Sequence, residues 1–344
     1  MGTEEHRMVS LKDIASACGV SIATVSKALN DHKDIGIVTK ARIKEVASEM
    51  GYRPNAAART LKTNRTYNLG VLFVDGNYSG LTHDFFNRVL DGFKRKAEAC
   101  GYDITFINGG IIRNQRMTYL EHARYRNFDG VVIACVDFDI PEVIELINSD
   151  IPVVTIDHVF NNRIAVLSDN VGGMSQLVEH AIHLGHRKLA YIHGADSSVT
   201  TARLSSFYNK AEECGISVPD EYIGVAPYRD TEAAYKETMR MLKLKNPPTC
   251  IFYPDDFACV GGINAIREMG LSIPEDISVA GYDGIPLGKN MSPNLTTLDQ
   301  DTEGIGSTAA EKLINLIERP KSTLIQQNLI PGKLFEGGSM GVVH

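Results

Sequence analysis

The spacing of apolar positions divides the chain into a short helical part and a long part of strands alternating with helices. Between residues 10 and 30 (SLKDIASACGVSIATVSKALN) Leu11, Ile14, Ala15 and Cys18 share one helical face, and Val25, Ala28 and Leu29 share another. Ser10 followed by Asp13 predicts a capping box at the start of the first helix. Gly19 can end it, because a left-handed residue costs nothing without a Cβ. Ser21 begins the second helix. A third is predicted over residues 36–50, with Ile43, Val46, Ala47 and Met50 inward and Gly51 just past its end. Pro54 then opens a segment, residues 56–61, that favours helix but is too short to be stable alone in water.

From Tyr67 the pattern changes. LGVLFVD, YDITFIN, DGVVIAC and IPVVTID are continuous apolar runs of the kind found in parallel strands covered on both faces. Amphipathic helices are predicted between them at residues 85–100, 117–126 and 141–149. A second series follows, RKLAYIHG, CIFYPDD and ISVAGYD, with helices at residues 172–184, 201–214, 231–244 and 257–269. The expected fold is therefore a small all-α headpiece, then a doubly wound α/β region of two similar lobes with a ligand cleft at the carboxyl ends of the strands.

Two short helices joined by a tight turn form a helix-turn-helix, whose second helix fits the major groove of DNA with its first residues nearest the base edges. Ile22, Ala23 and Lys27 point outward there. The two apolar side chains suit thymine methyl groups and Lys27 suits guanine acceptors, while Thr24 and Ser26 suit phosphates and Asn30 ends the same helix. The plainer alternative is a helical hairpin with a polar outer face. In the segment after Pro54, Leu61 stands among Arg59, Lys62 and Arg65. An apolar wedge among cations suits the minor groove; a plain linker is the alternative.

Composition narrows the possibilities. A chain of 344 residues exceeds one core, and 43% hydrophobic with 22% charged residues is ordinary for a folded domain. No apolar run reaches the roughly 20 residues of a membrane helix, and from MGTEEHRMVS, which has no hydrophobic segment, no signal peptide is expected. Six scattered cysteines argue for reduced thiols rather than a zinc site, so a cytoplasmic protein is expected. The net charge of −7 is unevenly divided: residues 1–65 hold 11 Lys and Arg against 7 acids (+4), the remainder 24 against 35 (−11). A basic DNA reader joined to an acidic sensor has this asymmetry.

The segments GVSIATVSKALN and TKARIKEVASEMGYRPNAAARTLKT together resemble the headpiece and hinge of the LacI family of bacterial transcription regulators. Gly36 departs from the family's usual Ser, and Lys27 from its common Arg. SDNVGGMSQLVEHAIHLGHRKLAYIHG, ARLSSF, PEDISVAGYDGIP and SPNLTTLDQD extend the likeness to a periplasmic-binding-protein-like sensor, covering nearly the whole chain. The resemblance implies a headpiece at 1–53, a hinge helix at 54–66 with contacts from Asn55, Ala58 and Leu61, and a sensor at 67–344. Its lobes are expected at about 67–168 with 298–327, and 169–297 with 328–344, the chain crossing near Ser168, Thr297 and Gln327. It further implies a homodimeric repressor on a near-palindromic operator, controlled by a small polar effector, most simply a sugar.

Effector candidates are polar residues just past strand ends. Asp157, Asp255, Asp256 and Asp283 follow strands, and Arg203 opens a helix on the facing wall. Carboxylates accepting from hydroxyls, an arginine fork, and Tyr228 against a sugar's C–H face suit a polyhydroxylated ligand. The resemblance selects Arg203, Asp255 and Asp283, with Asp256 more structural, Asp255 in place of a frequent Asn and His158 in place of a common Arg. In GNYSGLTHDFF, Asn77, Ser79, His83 and Asp84 are further candidates, whereas Phe85 and Phe86 read as core. Each aspartate taken alone is equally a loop or helix cap. His180, His183 and His186 are spaced by threes, but a helix brings only the first two together, so no metal or other cofactor is expected. No phosphate loop, nucleophile elbow or HExxH is present, and adjacent acids cannot oppose each other across a glycosidic bond; an enzyme is not expected. The alternatives are a regulator controlled mainly by a protein corepressor, or a sugar-binding protein or enzyme.

Overall fold

The computed structural model describes residues 9–52, 65–74, 80–112 and 115–343. Asn55, Ala58, Arg59 and Leu61 of the expected hinge, and Asn77 and Ser79, lie outside them. Contacts divide the chain into two compact units, Met1–Thr66 and Tyr67–His344.

In the first unit α1 (Leu11–Cys18), α2 (Ile22–Leu29) and α3 (Ile37–Glu49) enclose a core of Ile14, Ala15, Cys18, Val25, Ala28, Ile43 and Ala47. The capping box forms: Ser10 Oγ accepts from Asp13 N at 3.4 Å and Asp13 Oδ2 accepts from Ser10 N at 2.8 Å. Gly19 ends α1 at φ 66°, so two exposed helix ends are satisfied by the residues that the pattern nominated. Gly36 caps α3 without a side-chain hydrogen bond.

The second unit holds two six-stranded sheets. The first comprises β1 (Asn68–Phe73), β2 (Asp103–Phe106), β5 (Gly130–Ala134), β6 (Val153–Ile156), β7 (Ile164–Ser168) and β13 (Gln327–Ile330), in the spatial order β13-β7-β6-β5-β1-β2, all parallel. The helices α4 (Asp84–Ala99), α5 (Tyr119–Arg126), α6 (Pro141–Ile147) and α12 (Thr302–Glu318) belong to this lobe. A short antiparallel pair, β3 (Gly110–Ile112) and β4 (Gln115–Met117), follows β2.

The second sheet runs β14-β12-β11-β10-β8-β9, from β8 (Leu189–His193), β9 (Ile223–Val225), β10 (Cys250–Phe252), β11 (Ser278–Asp283), β12 (Thr296–Asp299) and β14 (Lys333–Phe335). Only β14 is antiparallel within it. It is flanked by α7 (Asn170–His183), α8 (Ser198–Glu213), α9 (Thr231–Leu242), α10 (Asp256–Glu268) and the short α11 (Pro286–Lys289). The buried runs predicted as strands are strands, and β5, β6 and β10 are buried at every position.

The chain passes to the second lobe after Ser168, leaves it after β12 ends at Asp299, and leaves the first sheet again after β13 ends at Ile330.

Close helix packing explains two interior glycines. A Cβ on Gly261 of α10 would stand 1.8 Å from the Thr231 carbonyl oxygen, and one on Gly306 of α12 would stand 2.0 Å from the Val89 carbonyl oxygen. No helix among the described residues is long and apolar enough to cross a membrane.

Candidate functional site

On the headpiece, Ser21 caps α2 by accepting from Thr24 N at 3.1 Å, which starts the helix and leaves its first side chains outside the core. Ile22 is 48% exposed, and Ala23 and Lys27 are exposed beside it. Thr24 and Ser26 are half-buried. The Thr24 hydroxyl pairs with Ser21 Oγ at 2.9 Å, and Asn30 closes the helix by donating from Nδ2 to Ser26 O at 2.6 Å. Lys27 Nζ donates to Asp34 Oδ2 at 2.5 Å, and this contact holds the Asp34 carboxyl below its usual range. Asp31 pairs in the same way with Lys44 at 2.7 Å. The acidic loop after α2 thus partners one of the proposed base readers, a relation seven residues long that helical periodicity does not reveal.

In the larger unit a cavity of about 630 Å³ lies between the lobes, at the carboxyl ends of the strands of both sheets. Its wall includes Asp157, Arg203, Tyr228, Asp255 and Asp283, brought together from five separate elements, and also His83, Phe85 and Phe86. Phe85 is buried in the first lobe's core, with Phe86 packed half-buried against it. Asp256 is not part of the wall. It is wholly buried, accepting from Thr297 Oγ1 at 2.5 Å and Ile285 N at 2.8 Å.

Arg203, 4% exposed, is fixed before any ligand arrives. Its Nε donates to Asn170 Oδ1 at 2.7 Å and its Nη1 to Pro254 O at 2.9 Å, while the guanidinium lies 3.5 Å from the Tyr282 ring centroid. Its remaining Nη2 stands 4.0 Å from Asp283 Oδ1. Asp255 caps α10, accepting from Ala258 N and from Arg229 N, each at 2.7 Å. Asp157 accepts from Ser168 N at 2.8 Å, and Tyr228 Oη pairs with Thr200 Oγ1 at 2.8 Å. Such anchoring holds the groups in one geometry, so little side-chain entropy remains to be lost on binding.

Burial raises the carboxyl pKa values of Asp157 and Asp255 above the usual range, against the lowering effect of their backbone donors. Asp283 is pushed up to about 7, again by burial, although Arg203 draws it back. Gln300, 5% exposed, donates from Nε2 to Asp283 Oδ1 at 2.7 Å, and its Oε1 is a buried acceptor without a partner among the described residues. The carboxylate fixes which end of the amide faces it, because only the nitrogen can donate.

Among the cavity residues that no sequence pattern singled out, two complete its polar contacts. One is Gln300, a single polar residue after a short strand. The other is Arg229, whose guanidinium lies 4.6 Å from the Phe257 ring centroid and reaches across the cleft to Asp84 Oδ2 at 2.9 Å. Asp84 and Arg229 are 145 residues apart, so no local pattern announces the pair. Arg88 Nη1 to Gly284 O at 3.3 Å and Ser198 Oγ to Asp157 O at 3.3 Å are further bonds between the lobes.

Four non-glycine residues of the wall have positive φ: Cys135 (52°), Asp157 (56°), Arg229 (65°) and Asp283 (103°). Strained backbone of this kind survives where surrounding packing over-determines it, and it gathers at ligand sites. Among the described residues no group of three or more His, Cys, Asp or Glu is placed to hold a metal. His186 instead uses both ring nitrogens structurally, with Thr249 Oγ1 at 2.9 Å and Gly341 O at 3.2 Å.

Comparison with known proteins finds two family matches along the chain. Residues 10–55 match the family described as bacterial regulatory proteins, lacI family, and residues 178–340 match the periplasmic binding protein-like domain. The chain is 31% identical over 319 residues to the probable HTH-type transcriptional repressor ExuR of Bacillus subtilis (strain 168), covering 92% of this chain and 93% of that one. The fold is that of the lac repressor dimer bound to operator and the anti-inducer ONPF, with a TM-score of 0.80 at 23% identity over 97% of this chain and 100% of that one. It is similar also to a LacI family transcriptional regulator from Enterococcus faecium with bound ribose, with a TM-score of 0.68 at 24% identity over 80% and 100%. With a helix-turn-helix headpiece, two α/β lobes around a polar cleft and a relative this similar over almost its full length, the chain belongs to the lacI family of bacterial regulatory proteins.

Proposed function

We propose that this protein is a homodimeric transcriptional repressor that binds a near-palindromic DNA operator and is controlled by a small polyhydroxylated effector, a sugar, in the cleft between its lobes. It is a binding protein and performs no catalysis. The observation that carries the reading is the pre-set polar wall of Arg203, Asp255, Asp283 and Gln300 at the strand ends. The carboxylates and Gln300 Oε1 accept from hydroxyls, and Arg203 donates to ring or hydroxyl oxygens. The relatives supply the context: one is named a repressor, one solved structure holds operator DNA, and another holds ribose.

In the headpiece Ile22, Ala23 and Lys27 read bases, with Thr24, Ser26 and Asn30 on the backbone; Asn55, Ala58, Arg59 and Leu61 extend the grip. An effector changes DNA affinity only by favouring one arrangement of the lobes over another. Ligands that draw together Asp157 of the first lobe and Asp255 and Asp283 of the second favour the closed one.

The test is selection of bound fragments from genomic DNA by the full chain, followed by fluorescence anisotropy on the selected site with a panel of sugars. A near-palindromic site with affinity changed tenfold or more by one sugar is expected. Selection of no preferred site refutes the regulator, whereas a preferred site that responds only to an added protein refutes the sugar.

A further inference from the structure

The cavity has two chemically different ends. The polar groups described above come mainly from the second lobe; the first lobe faces them with a largely apolar and aromatic wall, whose acids are Asp157 and, beside Phe138, Asp137 and Asp139. There Phe138 lies on the His158 ring almost parallel, at 4.3 Å between centroids and 16° between planes. Phe160 supports His158 from another side at 4.7 Å. Phe138 and Phe160 pack against the first lobe's core, and Phe138 and His158 line the cavity, so the stack is a fixed face rather than two loose rings. Tyr119, Ile140 and Val143 extend the apolar wall. Burial lowers the His158 pKa against the raising effect of Asp139, which favours the neutral imidazole beside an apolar neighbour.

A cavity of about 630 Å³ lies in the middle of the range of roughly 300–1,000 Å³ typical of sites for drug-sized ligands. That is more room than one sugar ring needs. A ligand consisting of a single polar ring satisfies Arg203, Asp283 and Asp255 but leaves the aromatic end covering nothing.

We propose that the effector is a two-ring molecule, a glycoside whose sugar ring takes the polar end and whose second ring presents a flat apolar face to the Phe138–His158 stack. The second ring is another sugar, through its C–H face, or an aryl group. This deepens the sugar-controlled reading above and rests on it. Phe138 and His158 are then specificity-determining residues, which select two-ring over one-ring ligands without touching the first sugar.

The experiment is calorimetric titration of the full chain with matched probes: methyl glycosides of glucose, galactose and xylose, the corresponding 4-nitrophenyl glycosides, and β-linked disaccharides of the same sugars. Stacking adds to ordinary area burial, so the two-ring probe is expected to bind at least about 10-fold tighter than its methyl counterpart. The disaccharide and aryl arms show which second ring is preferred. Phe138→Ala is expected to bring that advantage, read as the ratio of two-ring to methyl-glycoside affinity within the same variant, below about threefold, and Phe138→Tyr, which keeps a flat ring, to retain most of it. Cooperative thermal melts report that the variants are folded. A methyl glycoside as tight as its two-ring partner, or an advantage that survives Phe138→Ala, overturns this proposal while leaving the sugar reading intact. Failure of every carbohydrate to bind overturns both.

Discussion

Asp283 makes the cavity's function measurable as a loss of stability. Its carboxyl titrates near 7 in the folded protein against an ordinary value of 3.8, and the first cause is burial. A raised carboxyl pKa means that the folded state binds the proton more tightly than the unfolded state. Its stabilising contribution is therefore complete below about pH 4 and is lost as pH rises to about 7, beyond which both states are ionised. The difference of about three pKa units corresponds to at most about 4 kcal/mol at high pH. Asp283→Asn keeps the shape and the acceptor for Gln300 Nε2 but cannot ionise. The variant is expected to gain stability over the wild type by about 1.4 kcal/mol per pH unit from pH 5 to 7, flattening above 7. For a sensor of this size that amounts to several degrees in Tm. Thermal melts of both proteins from pH 5 to 9 read the effect directly. The raised carboxyls of Asp157 and Asp255 are present in both proteins and add to the rise at Asp283, so the difference reads Asp283 together with its coupling to these neighbours. Parallel Tm curves across that range refute the reasoning, as does a gap that widens toward acid. The same variant is expected to weaken effector binding, because a carboxyl group with two oxygens is replaced by an amide that accepts through one.

Three other perturbations test separate parts of the molecule. Asp34→Asn frees Lys27 and removes an acid near α2, so, if α2 is the reading helix proposed above, binding to random duplex DNA at low salt should rise about 3- to 10-fold, with a steeper salt dependence in anisotropy titrations; unchanged affinity contradicts that relation. Asp84→Ala cuts the bond to Arg229 across the cleft, a partly buried pair worth about 1 kcal/mol, and should open the lobes, seen as a larger radius of gyration in solution scattering without ligand and weaker effector binding. Gly261→Ala forces a methyl group against the Thr231 carbonyl and should cost about 1–3 kcal/mol in denaturant unfolding; a neutral result shows that α9 and α10 can separate freely.

Local rules carried much of this protein's description. The Ser10–Asp13 box and Gly19 were readable because capping is settled within a few residues, and the parallel strands because burial on both faces demands unbroken apolar runs. The position of polar residues just past such runs was likewise visible, since a strand's carboxyl end is where the chain leaves the core. Folding alone decided which of them meet. Asp157, Arg203, Tyr228, Asp255 and Asp283 converge because two sheets of similar winding face each other, whereas Asp256, next door in sequence, is turned into the second lobe to hold Thr297 and Ile285. Arg229 with Asp84, Gln300 with Asp283, and Phe138 with His158 are pairs across long stretches of chain or between short loops with no periodicity. The positive φ of Cys135 and Arg229 has no marker in residue type, for neither is a glycine or an asparagine. Periodicity records which side of an element faces the core; pairing across a cleft depends on how whole elements are placed, and only the assembled lobes contain that information.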